Sequence, residues 1–129
     1  MDSEGLPKFA IIESEAVHHI AELIESVPEG NLERAQQVSE ELQTYLQEKA
    51  EEIFPILGRD VWLNYQMVIV FGLLSKKCEE YKENLRKQID DFYTTLDNFV
   101  YQLPDKEEAK KIRNSWNRRM QELIRPYEK

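Results

Sequence analysis

Residues able to do chemistry are few and scattered. His18 and His19 are adjacent, and Glu15-Ala16-Val17-His18 has the Glu-x-x-His spacing with which helices of di-iron carboxylate bundles present two ligands on one face. Such a centre needs a second motif and two more inward glutamates, and the chain has no other histidine. Cys78 is the single thiol, which excludes an internal disulfide and a cysteine-cluster zinc site. It lies between Leu74 and Tyr81 at apolar helical spacing, whereas a reactive thiol needs cationic, partly exposed surroundings. Asp90-Asp91 and Asp97 could serve as paired carboxylates, but they flank a helical stripe with no histidine or glycine-rich loop beside them. No catalytic, cofactor or metal site is expected from these groups.

Two other sets point to binding. Lys111, Arg118 and Arg125 recur every seven residues, and Lys110 and Arg119 widen them into a basic strip suited to phosphates or anionic lipid. Trp62 and Trp116 are candidate anchors, since a buried tryptophan can dominate an interface. Trp116 fits the inner stripe of its helix, and Trp62 could serve either core or interface.

The elements that must position these groups read as helices. Phe71, Leu74, Cys78, Tyr81, Leu85, Ile89, Phe92, Leu96, Phe99 and Leu103 are spaced in threes and fours. At 3.6 residues per turn they fall within an arc of roughly 80°, a narrow apolar seam on one long helix. Its two consecutive steps of four, at Tyr81, Leu85 and Ile89, suit a nearly straight bundle helix better than a supercoil. Upstream, Val61–Leu74 is apolar around its whole circumference and must be surrounded by protein or lipid. At fourteen residues, with Asn64 and Gln66 inside it, the stretch falls short of the ~20 needed to span a bilayer.

The expected fold is all-α: a lead over residues 1–8 without stable structure, then a single helical domain over 9–126. It is an antiparallel bundle of about four helices, near 9–27, 31–57, 60–103 and 105–124. Pro28-Glu29-Gly30 stops the first helix and Asn31 caps the second. Pro55 kinks or ends the last turn of the second helix, and Gly58 terminates it. Asp105 with Glu108 opens the fourth, and Pro126 ends it. An unbroken helix from Asp60 to Leu103 would be ~65 Å long. A compact domain of this size is only ~35 Å across. The segment therefore either breaks, with Gly72–Ser75 the best place, or projects and packs in a dimer or larger assembly.

The formal charge of −8 is uneven: residues 1–58 carry three basic and thirteen acidic side chains, and residues 104–129 carry eight and five. Nucleic acid is a poor partner for the acidic half. The lone cysteine and the polar start, MDSEGLPKF, suggest a cytoplasmic protein. Leu103-Pro104-Asp105-Lys106-Glu107-Glu108, opening a basic amphipathic helix, resembles segments of polyester-granule-associated proteins in composition. That resemblance implies adsorption to a membrane or granule surface. No family is recognised over the whole chain.

The leading expectation is a non-enzymatic interaction or assembly protein, a homodimer or small subunit that buries the 61–103 helix against itself or another helical protein. Its interface would comprise Trp62, Phe71, Leu74, Tyr81, Leu85, Ile89, Phe92, Leu96 and Phe99. One alternative is a nucleoprotein-complex subunit using Lys110, Lys111, Arg118, Arg119 and Arg125, and another is a membrane- or granule-surface protein.

Overall fold

The computed structural model describes residues 5–53 and 59–127. Within them the chain forms five α-helices: α1 (Gly5–Glu25), α2 (Leu32–Ile53), α3 (Arg59–Lys77), α4 (Tyr81–Gln102) and α5 (Lys106–Ile124), followed by a 3-10 turn, Arg125–Tyr127. The described residues contain no strand. α1 begins at Gly5, inside the stretch expected to be a lead. The expected kink at Pro55 and terminus at Gly58 lie outside the described residues.

Local chemistry fixes most boundaries. After α1, Gly30 takes a φ of +81°, which an L side chain rarely adopts. Asn31 Oδ1 then accepts the Arg34 N–H at 3.0 Å, capping α2. Asp105 caps α5 in the same way, accepting from the N–H groups of Glu107 (3.0 Å) and Glu108 (3.3 Å).

The long third helix is a correction. The segment breaks at Cys78–Glu80, not at Gly72–Ser75, and α4 folds back antiparallel on α3. Phe71 stacks on Tyr81 with centroids 5.8 Å apart, and Tyr65 lies 6.2 Å from Phe92. Near the other end Asn64 bonds to both Gln88 and Thr95. Tyr81 and Lys82 donate backbone N–H groups to the carbonyls of Cys78 and Glu79 at 3.0 Å, and the Gly30 N–H donates to the Lys77 carbonyl at 2.8 Å. Glu80 keeps right-handed helical dihedrals, so the reversal needs no glycine or proline. Gly72 stays mid-helix because of close packing: a Cβ there would sit 2.8 Å from the Tyr127 hydroxyl oxygen.

This reversal removes the argument from length. Neither α3 nor α4 exceeds the width of the domain, and the seam packs within the chain. α3 is the hub. On one flank Trp62, Met67, Val70 and Leu74 pack with Ala16 and Ile20 of α1 and with Val38, Leu42 and Leu46 of α2. On the other, Val61 and Val68 pack with Leu85, Phe92 and Leu96 of α4 and with Met120 and Ile124 of α5. Phe71 and Trp116 touch both clusters. A helix sandwiched between two helical layers needs apolar residues all round, which is what residues 61–74 supply. Among the described residues, no helix is long and apolar enough to cross a membrane.

Candidate functional site

Three helices converge on one carboxylate. Ile12, Ala16 and Ile20 bury the inner face of α1, which turns the flanking Glu13 toward α3 and α5. Its Oε2 accepts from Arg119 Nη2 at 2.6 Å and, more loosely, from Trp62 Nε1 and Gln66 Nε2, both at 3.4 Å. The Arg119 guanidinium lies 4.7 Å from the ring centroids of both Tyr65 and Trp116. Burial is the largest single influence on this guanidinium and works against its charge. The hydrogen bond and charge of Glu13, together with Tyr65, outweigh it and hold the pKa above its ordinary value. Gln66 is fully buried, and its Oε1 has no hydrogen-bond partner. The node is a neutralised ion pair in an aromatic cradle, which fixes α1 and α5 to α3 and leaves neither charge free for a ligand.

A larger concavity lies where α3 ends, α4 begins and the 3-10 turn closes the chain. This cleft, of ≈ 750 Å³, has Leu85, Ile89 and Ile124 as its apolar floor and Pro126 and Tyr127 as its wall. Lys76, Lys82 and Arg86 stand around it with Ser75, and among the described residues no carboxylate lines it. Tyr127 is held close over Gly72, and burial raises its phenol pKa. The Lys76 ammonium lies 5.5 Å from the centre of its ring.

The outward side of α1 forms a third surface. Ala10, Ile11, Ser14, Val17, His18 and Ala21 are all exposed, and Ile11 and Val17 retain 57% and 47% of their accessible area. Beside this strip, Ala10, Ser14 and Val17 border a groove shared with Tyr65 and Ile69 of α3.

The residues singled out from sequence are dispersed. Trp62, Leu74, Tyr81, Leu85, Phe92 and Leu96 are buried in the chain's own core, and Phe71, Ile89 and Phe99 are half-buried. Lys110, Lys111, Arg118 and Arg125 are exposed, whereas Arg119 is held by Glu13. His18 is exposed, and the His19 ring packs 4.2 Å from that of Tyr45. Cys78 is buried, Asp90 and Asp91 are exposed, and Asp97 pairs with Arg113 at 2.9 Å. No three ligand-type side chains among the described residues are grouped to hold a metal.

Glu13 and the cleft were missed from sequence. Glu13 carries no local signal, because its partners lie far along the chain. The cleft has one: Lys76, Lys77, Lys82, Arg86 and Lys87 crowd a short stretch of an otherwise acidic protein. No protein-family model, curated protein or solved structure matches this chain, so its sites are read from their own geometry.

Proposed function

We propose that this chain is a non-enzymatic helical interaction protein that self-associates through the outward strip of α1. The observation that carries this reading is the uncharged character of that strip over residues 10–21, which Glu22 borders and Glu25 closes at its C-terminal end. In a chain with 33% charged residues, Ala10, Ile11, Ser14, Val17, His18 and Ala21 present no carboxylate, ammonium or guanidinium to solvent at neutral pH. The surrounding N-terminal half is strongly acidic and would repel a second copy elsewhere on its surface. A strip mixing small residues with Ile11 and Val17 is self-complementary. In an antiparallel, two-fold pairing, the large side chains of one copy lie against the small ones of the other.

Sedimentation equilibrium tests it. The wild type is expected to dimerise, and Ile11→Glu/Val17→Glu to sediment as a monomer with unchanged helical circular dichroism. A wild type that stays monomeric at the highest attainable concentration would overturn the reading, as would a double variant that still dimerises.

A second reading, binding of nucleic acid, is favoured by Lys111, Arg118 and Arg125. All three are exposed, and none has an ion-pair partner among the described residues. Its test is a gel shift that weakens with salt and with charge reversal at these positions.

A further inference from the structure

We propose that the cleft between α3, α4 and the 3-10 turn is a binding site for an organic anion, a phosphate or carboxylate head on a short apolar body. The charge arrangement carries the argument. The chain is formally −8, yet three cations from two helices gather around one concavity that no carboxylate among the described residues lines. A groove between α4 and α5 also gathers Lys106, Lys110 and Arg113, but there Asp97 lines the groove and pairs with Arg113, and in the groove between α1 and α3 Arg119 is paired with Glu13.

The cleft's cations are free to act. Arg86 has no ion-pair partner among the described residues. Lys82 meets Glu79 at 3.4 Å, with both side chains mostly exposed, a contact too weak to hold it against a better anion. An ammonium supplies a mobile point charge and a guanidinium a planar fork, a pairing suited to a multi-oxygen head.

The apolar half lies on the same helical face. Leu85 and Ile89 are one turn apart and interleave with Lys82 and Arg86, so the floor begins where the charged rim ends. The wall is held in place, since Tyr127 occupies space that only a glycine at position 72 leaves open. A volume of ≈ 750 Å³ falls within the range of small-molecule sites.

Calorimetric titration with dodecyl phosphate, kept below its micelle-forming concentration, tests the proposal. Saturable binding at a single site is expected, with inorganic pyrophosphate weaker and uncharged dodecyl maltoside inactive. Lys82→Gln/Arg86→Gln, at two exposed positions, should keep its helical circular dichroism and bind roughly tenfold or more weakly through loss of charge-assisted hydrogen bonds. Equal binding of dodecyl maltoside would overturn the proposal, and so would a double variant that binds like the wild type. Two further arms separate other occupants. Binding only to phosphatidylglycerol vesicles, or only to a glutamate-rich leucine-anchored helical peptide, would likewise overturn it. The dimer test is independent, because the residues it alters lie on α1.

Discussion

At the scale of single residues, the Glu13 node and the Gly72–Tyr127 contact make separable predictions. Removing Glu13 strands a half-buried guanidinium between two rings, whereas removing Arg119 leaves Glu13 with Trp62 and Gln66 as donors. Glu13→Ala should therefore destabilise the fold by about 1–3 kcal/mol, below the cost for a fully buried pair because both groups retain some exposure. Arg119→Met, which keeps apolar bulk over the rings, should cost less. Urea unfolding of both single variants and the double would measure the difference and the coupling. Gln66→Met removes an unpartnered buried acceptor along with a long hydrogen bond, so it should be close to neutral. At Gly72, alanine gains about 1 kcal/mol of helix propensity but pushes Tyr127 aside, so the net change in stability should be small. The sharper readout is the phenol. Burial holds the Tyr127 pKa above its ordinary value, so the stability it supports is complete below that value and lost as pH rises through the folded one. In Gly72→Ala, spectrophotometric titration should show one phenol ionising at lower pH than in the wild type.

At the scale of helices, the caps are the places where sequence reasoning worked best. Asn31 and Asp105 were identified from residue type and position, and each accepts the backbone N–H groups expected of it. Asn31→Ala and Asp105→Ala should each cost about 1 kcal/mol in thermal or urea unfolding. The stop after α1 was equally legible, because a proline and a positive-φ glycine mark it chemically. The turn between α3 and α4 was not, and the reason is physical. None of its residues takes a positive φ and its closing bonds run between main-chain atoms, so no residue type is demanded there. The apolar rhythm passes through the turn unbroken because Cys78 and Tyr81 stay buried on either side of it. A seam can thus be continuous in sequence while the helix carrying it folds in two. The cleft was hidden for the same reason: Lys76 and Arg86 become neighbours only once the chain reverses between them.

At the scale of the whole molecule, α3 couples two layers that would otherwise be separate. Trp62 reports on the α1–α2 layer and Trp116 touches both, so variants retaining one tryptophan give distinct probes. Their unfolding transitions should coincide with each other and with loss of helicity, because neither layer keeps its core without α3. Two separated transitions would show that the layers melt independently. Phe92→Ala, at a fully buried ring facing α3, should cost about 3–5 kcal/mol and lower both signals together. The shared helix also has a consequence for the order of synthesis. A nascent chain extending to Lys77 can assemble α1, α2 and α3, yet the flank of α3 bearing Val61 and Val68 has no cover until α4 and α5 leave the ribosome. For that interval the half-made protein presents a greasy surface that its finished form conceals, and it is then that a chaperone or a wrong neighbour would find it.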